Sequence, residues 1–218
     1  MKRRTLFIGF ITILIAAMVT FGLLLISSGD DKKSLGTILL VVSAFVLVGV
    51  VSGYNKMVRY RNKIKESLAL VDIQLKLRFD LIPNLVNTIK GYAKHEKELL
   101  QDVVKLRNQA ASSTDEKEKL EFANKLVPQM KHMVAVAESY PELKSSAMFK
   151  SLMEQLVDIE DRLVSARRIY DSNVNEYNTT LQVFPNNFIG YMFGFKKEEL
   201  FKIDAGESIV VSVKEELK

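Results

Sequence analysis

Two long stretches without any charged residue lie near the start of the chain. Residues 5–29 and 34–55 contain no Asp, Glu, Lys or Arg. A helix needs about 20 predominantly apolar residues to cross the hydrocarbon core of a bilayer, and each stretch is long enough. We therefore expect two membrane spans, at about residues 5–26 and 35–53. Because only about eight residues separate them, the spans must form a helical hairpin.

Basic residues around the predicted spans indicate the orientation of this hairpin. Three Lys or Arg residues precede the first span, two lie in the connecting loop, and five lie at residues 56–65. Because cytoplasmic flanks are enriched in Lys and Arg, we expect the N-terminus and the main domain on the cytoplasmic side of the cell (inner) membrane. Residues 1–27 are alternatively a cleaved signal peptide, but their apolar run is unusually long and no A-x-A-like cleavage site follows it.

The distribution of charge argues against a nucleic-acid partner. The pI is near 9.2 and the net charge is +5, but the excess of basic residues lies next to the predicted spans. Residues 1–53 carry a net charge of +3 and residues 56–66 carry +4, whereas the net charge of residues 67–218 is −2. A nucleic-acid-binding domain needs a basic face of its own. The chain also has no cysteine, which excludes disulfides, thiolate metal sites and cysteine nucleophiles.

Downstream of the spans, apolar residues recur at intervals of three and four, which predicts helices. The first helix is expected to cover residues 55–112. Pro83 lies inside it, and because proline lacks a backbone N–H and crowds the preceding turn, we expect a kink or a break near Ile82. A short alternating run at residues 209–213 is either a tail strand or a frayed end.

The second helix is expected to begin at Ser113 or Thr114, because Ser113 and Glu116 have the spacing of a capping box. It should end at Tyr140, since the residue before a proline avoids helical dihedral angles. The third helix covers about residues 144–182 and has the most regular pattern in the chain. Its coiled-coil-like seam consists of Leu152, Leu156, Ile159, Leu163, Ala166, Tyr170, Asn173, Tyr177 and Leu181; the tyrosines are expected to be core residues.

The lengths of these helices predict how they assemble. The part of the first helix after Pro83 and the whole second helix are similar in length, so they can lie antiparallel with the third helix covering both. We predict an all-α fold in which a membrane helical hairpin at residues 1–53 precedes a cytoplasmic antiparallel bundle of three to four long helices at residues 54–204. Residues 205–218 form a C-terminal tail.

Polar residues flanking Pro83 form a candidate structural set. Asp72, Arg78, Asp80 and Asn84 lie on the first helix, while Arg162 and Arg167 lie on the third. One hypothesis is that some of them form an interhelical ion-pair network that fixes helix register, because polar residues beside a kink often meet freed backbone groups. The alternative is solvated surface charge. For the adjacent Glu160, Asp161 and Arg162, ordinary surface pairing is expected.

An aromatic segment at residues 184–201 interrupts the helical pattern. Phe184, Pro185, Phe193 and Phe195 are its candidate interaction residues, with Asn187 as a helix N-cap and Gly194 as a helix terminator. The aromatic side chains either plug one end of the bundle or provide a surface for the membrane interface or a protein partner.

Gly49 and Gly53 form a G-x-x-x-G pair at the end of the second predicted span. This spacing allows two helix backbones to approach closely. The pair either reflects the general abundance of small residues in membrane helices, or it packs the hairpin or joins two copies of the chain.

No motif for catalysis, metal binding or cofactor binding is present. His95 and His132 are the only histidines, and His95-Glu96 lacks the second histidine of H-E-x-x-H. Neither a phosphate-binding glycine motif nor G-x-S-x-G occurs. We therefore expect no catalytic residue, no metal, no cofactor and no small-molecule substrate.

Several ordered segments resemble the LemA family of bacterial membrane proteins. They are VDIQLKLRFDLIPNLVNTIKGYAKHE at 71–96, AVAESYPELK at 135–144, IEDRLVSARRIY at 159–170, Tyr177-Asn178 and FPNNFIGYMFGF at 184–195. The resemblance covers about residues 54–204, and the tail after Asp204 does not share it. It implies an N-terminal membrane anchor, usually a single span, and a cytoplasmic helical bundle with a long first helix. A related protein in magnetic bacteria takes part in building magnetosome membranes, which implies a membrane-organising role by analogy.

These observations predict a membrane-anchored, non-catalytic scaffold or interaction protein. Its expected partners are the lipid bilayer and either another protein or a second copy of the chain. The alternative is an accessory subunit of a membrane enzyme or protease whose site forms only in a complex. A pore or transporter component is disfavoured because neither span contains an ionisable residue.

Overall fold

A computed structural model describes residues 16–27 and 30–201 of the chain. The first eleven residues of the first predicted span, the tail at residues 205–218 and its short alternating run at 209–213 lie outside this described part. Within it the chain is helical and contains no strand, so the all-α prediction is confirmed.

Seven helices make up the described chain. They are α1 (Ala16–Ser27), α2 (Asp30–Tyr92), α3 (Lys97–Ser112), α4 (Glu116–Ser139), α5 (Pro141–Ser145), α6 (Ala147–Gln182) and α7 (Asn186–Phe193). The second predicted span forms the start of α2, which continues without interruption for 63 residues. The expected ends of the second and third long helices, at Tyr140 and Gln182, are confirmed.

The chain divides into two compact units. Among the described residues, the anchor unit comprises residues 16–27, 30–65 and 172–200, and the bundle unit comprises residues 66–171 together with Phe201. The helices α2 and α6 contribute residues to both units.

The bundle unit has one continuous hydrophobic core. Its members come from five helices and include Leu75, Ile82 and Leu85 of α2, Val103 of α3, Leu126 and Met130 of α4, Leu143 of α5, and Leu156 and Leu163 of α6. Helices α3 and α4 pack on each other, and because only residues 113–115 connect them, they run antiparallel. The predicted seam residues from Leu152 to Ala166 are buried.

Of the two alternatives expected near Ile82, a kink or a break, the break is wrong. Helix α2 continues through Pro83 and ends nine residues later, at Tyr92, and residues 93–96 form the turn that leads into α3. The predicted helix of residues 55–112 is therefore two helices, α2 and α3. The buried stripe nevertheless passes through the turn, since Ala93 and Leu100 both belong to the core.

The predicted capping box at the start of α4 is also wrong. Asp115 is the N-cap, and its carboxylate accepts a hydrogen bond from the backbone N–H of Lys117. The Ser113 hydroxyl instead donates to the carbonyl of Asp115 and to the carboxylate of Glu118. Aspartate caps a helix as well as serine does, so the residue adjacent to the helix takes the position.

In the anchor unit, α1 and α2 approach each other at two glycines. A Cβ built on Gly36 would lie 2.6 Å from the carbonyl oxygen of Gly22 and 2.7 Å from Cγ1 of Ile26. A larger residue at position 36 would therefore push the two helices apart. This is the close backbone contact of small residues that membrane helices use.

The apolar residues at the start of α2 are exposed around the helix. Phe45 is 79% exposed, Val48 is 65% exposed, and Leu35, Ile38, Val41 and Val51 are each more than half exposed. Helix α2 is long and apolar enough to cross a membrane, and α1 is a shorter apolar helix. The described residues thus contain one candidate membrane-spanning helix near the N-terminus.

Candidate functional site

A buried ion pair joins α2 to α6 in the core of the bundle unit. The Arg78 guanidinium donates through Nη2 to Oε2 of Glu160, and their side chains are only 1% and 6% exposed. The expectation of surface pairing is therefore wrong for Glu160. An isolated buried charge is costly, whereas a hydrogen-bonded pair is tolerated, so each residue is required to keep the other inside the bundle.

Arg167 places a second cation close to this pair. Burial, followed by repulsion from Arg78, lowers the pKa of the Arg167 guanidinium to about 10, while Glu160 and Asp171 act in the opposite direction. Arg167 is still charged at neutral pH, so it repels Arg78 and is attracted by Glu160. Its guanidinium carbon lies 5.2 Å from the ring centroid of Phe201, a cation–π contact that offsets part of the cost of burial.

Arg107 compensates for the proline inside α2. Because Pro83 has no backbone N–H, the carbonyl of Phe79, four residues earlier, loses its helical hydrogen-bond donor. Nε of Arg107, on α3, donates to this carbonyl oxygen at 2.9 Å, and Nη2 of Arg107 lies 3.6 Å from the carboxylate of Asp80. This tertiary hydrogen bond explains why α2 remains continuous through Pro83.

The remaining residues of the polar set have different environments. Asp72 accepts a 2.6 Å hydrogen bond from Lys119 of α4. Arg162 pairs with Asp158 within α6, with both side chains about 60% exposed, and Asn84 is exposed. Asp72, Arg78 and Asp80 thus form contacts between helices, whereas Arg162 is a surface residue. That these contacts fix helix register stays a prediction.

The two seam tyrosines of α6 pack against aromatic or backbone groups. Tyr170 lies at the edge of the core, with its ring centroid 5.7 Å from that of Phe201. Tyr177, in the anchor unit, is 1% exposed and donates its hydroxyl to the carbonyl of Lys196 at 2.9 Å. Burial raises the pKa of Tyr177, so this hydroxyl stays protonated and remains a donor.

Most aromatic residues of the 184–201 segment are exposed. Phe184 is 74% exposed and Phe188 is 58% exposed, while Tyr191 and Phe193 are also exposed. The residues that α7 buries are instead Ile189, Gly190 and Met192. The idea that the aromatic side chains plug the bundle is therefore wrong for these four residues.

The C-terminal end of α7 packs around Tyr54 of α2. The ring centroids of Phe193 and Phe195 lie 4.8 and 5.8 Å from that of Tyr54, and the guanidinium of Arg61 lies 5.7 Å from the Phe195 ring centroid. Gly194 has φ 77° and terminates the helix, as predicted, since a left-handed residue favours glycine. Pro185, rather than the predicted Asn187, occupies the N-cap position.

Two glycines predicted as a pair have separate surroundings. A Cβ on Gly53 would lie 2.4 Å from Cδ1 of Ile189 and 3.0 Å from Oδ1 of Asn186, whereas a Cβ on Gly49 would meet no atom within 4 Å. Gly53 thus provides space for α7, and the close contact between α1 and α2 is made at Gly22 and Gly36, which sequence reasoning missed. Pairing of two copies through Gly49 stays a prediction.

A cleft of about 920 Å³ lies between α2 and α3 in the bundle unit. Its polar rim includes Lys90, Lys94, Lys97 and Lys105, and its floor includes Val86, Ala93, Leu100 and Val104. No acidic residue lines it, so the cleft combines positive charge with apolar surface.

Comparison with known proteins identifies the family. A sequence model of the LemA family matches residues 67–214, more than half of the chain. This chain belongs to the LemA family. The match begins later than the resemblance inferred at residue 54 and extends past Asp204, so the expectation that the tail has no counterpart is wrong up to residue 214.

The similar proteins include both LemA and magnetosome proteins. Protein LemA of Metamycoplasma hominis is 21% identical over 172 residues, covering 78% of this chain and 77% of that protein. Magnetosome protein MamQ 2 of Paramagnetospirillum magneticum and MamQ of Magnetospirillum gryphiswaldense are 32% and 31% identical over 81 residues. These MamQ matches cover 37% of this chain and only 30% of each relative.

Proposed function

We propose that this LemA-family chain is a membrane-anchored, non-catalytic scaffold that organises protein partners at the cytoplasmic face of the cell membrane. The observation that carries the proposal is helix α2. One uninterrupted helix contains both an exposed apolar segment and residues of the bundle core. A helix of this kind connects a bilayer directly to a folded, water-exposed domain.

Exposure of the apolar segment supports membrane insertion. Burying a Val, Leu, Ile or Phe side chain away from water is worth about 1.5–3 kcal/mol, and the segment from Leu35 to Val51 leaves many such side chains uncovered. We propose that lipid covers them and that α1 belongs to a second span, giving a two-span anchor at residues 1–53. The contact of Gly22 with Gly36 supports such a hairpin.

The excess of basic residues supports the orientation. Five Lys or Arg residues follow the apolar segment at residues 56–65, and such clusters mark the cytoplasmic flank of a span. We propose that the N-terminus and the bundle, residues 54–204, lie in the cytoplasm. The magnetosome names of the MamQ relatives agree with the membrane-organising role that the family resemblance implies.

The lysine-lined cleft supports binding of a protein partner. Within the described part of the chain, Lys90, Lys94, Lys97 and Lys105 form no ion pair. Charges left unpaired around an apolar floor favour a partner segment with acidic and apolar residues, because complementary potentials steer association and fix register. We propose that the scaffold binds its partner here.

Site-specific photo-crosslinking in cells tests the scaffold role. A photoreactive residue replacing Gln101, at the cleft, is expected to capture a recurring protein, whereas one replacing the exposed Gln155 of α6 should not. Reversing charge with Lys94→Glu and Lys97→Glu should reduce the adduct at least about tenfold, since like charges across an interface cost several kcal/mol.

The charge-matched control is Lys144→Glu with Lys150→Glu, two exposed lysines away from the cleft lining. This control should leave the adduct unchanged. Equal capture from Gln101 and Gln155, or no capture from either, contradicts the scaffold proposal. Recurrent capture of one membrane protease or other enzyme would favour the accessory-subunit alternative.

A further inference from the structure

Helix α7 lies against α2 at the point where the apolar segment of α2 ends. Gly53 is in contact with Ile189 and Asn186, and Gly190 is near Sδ of Met57, since a Cβ on Gly190 would lie 3.7 Å from that atom. The first charged residue after the apolar segment is Lys56. If α2 spans a bilayer, these contacts place α7 at the depth of the polar headgroups.

Three exposed aromatic residues lie on α7 and in the turn that precedes it. Phe184, Phe188 and Tyr191 are spaced by four and three residues and are each more than half exposed. The rings of Phe184 and Phe188 are in edge contact, with centroids 6.2 Å apart. Phe188 and Tyr191 are three residues apart on α7 and therefore lie on neighbouring positions of the helix surface, and the ring contact places Phe184, which precedes α7, beside Phe188.

The surrounding sequence lacks charge over an unusual length. Residues 177–195 contain no Asp, Glu, Lys or Arg, and Lys196 and Lys197 follow directly. An uncharged segment with exposed aromatic side chains and flanking lysines suits the membrane–water interface. Aromatic rings are enriched there, and lysines at its edge meet anionic lipid headgroups.

We propose that α7 is an interfacial helix. Its Phe188 and Tyr191, together with Phe184 in the turn before it, insert among the lipid headgroups of the leaflet that α2 enters. The occupant of this aromatic surface is thus the bilayer that holds the anchor. The proposal rests on the membrane anchoring of α2. It adds a second, lateral attachment, which would fix the tilt and rotation of α2 at the membrane surface.

The chain contains no tryptophan, so the fluorescence of a single introduced tryptophan reports on the surroundings of one chosen position. Full-length Phe188→Trp protein is reconstituted in vesicles whose lipids carry bromine either near the headgroup end or near the tail end of the acyl chains. Phe45→Trp reports on the middle of the apolar segment, and Val164→Trp, partly exposed in the bundle unit, serves as the water-exposed control.

Phe188→Trp fluorescence is expected to fall to about half with bromine near the headgroups and to change less with bromine near the tail ends, as for an interfacial residue. Phe45→Trp should show the reverse order, and Val164→Trp should be unaffected. If Phe45→Trp is quenched and Phe188→Trp is not, the interfacial proposal is overturned while the anchor stands. If neither is quenched, the anchor itself fails.

A further measurement separates lipid from protein as the covering surface. Acrylamide should quench Val164→Trp strongly in the same vesicles and Phe188→Trp weakly. Shielding of Phe188→Trp from acrylamide without quenching by either brominated lipid would mean that a protein, such as a second copy of the chain, covers the surface. That result would also overturn the interfacial proposal.

Discussion

Replacement of Glu160 by glutamine is expected to lower the free energy of unfolding of the bundle by about 3–5 kcal/mol, because it leaves an uncompensated charge in a buried site. Arg78 is 1% exposed and has its carboxylate partner in Glu160. Arg167, a second cation nearby, increases the repulsion that remains. We expect the thermal midpoint of the full-length protein in mild detergent to fall by on the order of 10 °C.

Two further variants distinguish the loss of stability caused by an unpaired buried charge from the loss caused by any substitution in α6. Arg162→Ala removes an exposed pair with Asp158 and should cost less than about 1 kcal/mol. The double variant Arg78→Met with Glu160→Leu replaces both buried charges and should recover most of the lost stability. The explanation is wrong if Glu160→Gln melts as the wild type does, or if the double variant is as unstable as the single one.

Arg107 and Pro83 are expected to show strong energetic coupling. With Pro83 present, Arg107→Met leaves the carbonyl of Phe79 without the donor that now bonds to it at 2.9 Å, which should cost about 1–3 kcal/mol. In a Pro83→Ala background, the new backbone N–H can bond to this carbonyl, so the same Arg107→Met change should cost less than about 1 kcal/mol.

Thermal or urea unfolding of the four proteins in this double-mutant cycle measures the coupling. Asp80→Asn is the control for charge, because Asp80 is largely exposed and 3.6 Å from Nη2 of Arg107; its effect should be below about 1 kcal/mol. Equal costs of Arg107→Met in the two backgrounds would show that Arg107 does not compensate for the proline.

The sequence predicted helix ends wherever a residue with special backbone geometry marks them. Tyr140 precedes a proline, and Gly194 adopts the left-handed conformation that glycine favours. The turn after α2 carries no such mark, because Ala93-Lys94-His95-Glu96 contains neither proline nor glycine. Ala93 and Leu100 are seven residues apart, so the helical period passes through the turn and conceals it.

The partners of the polar residues could not be predicted, although their burial could. Glu160 follows Leu156 by four residues and precedes Leu163 by three, which places it on the buried side of α6. Arg78 follows Leu75 by three residues and precedes Ile82 by four, so it also lies on the buried side of its helix. Sequence periodicity thus reveals which side of its helix a residue occupies. It does not reveal which helix faces that side, and the contact of Arg107 with Phe79 depends on that tertiary information.

Cysteine labelling tests the central claim, that the anchor inserts in the membrane and leaves the bundle in the cytoplasm. The native chain has no cysteine, so Asp31→Cys, between the predicted spans, and Thr114→Cys, between α3 and α4, each provide a single thiol. With a membrane-impermeant maleimide, we expect Asp31→Cys to be labelled in intact cells and Thr114→Cys only after permeabilisation. Labelling of Thr114→Cys in intact cells, or recovery of the protein in the soluble fraction without detergent, would contradict the account.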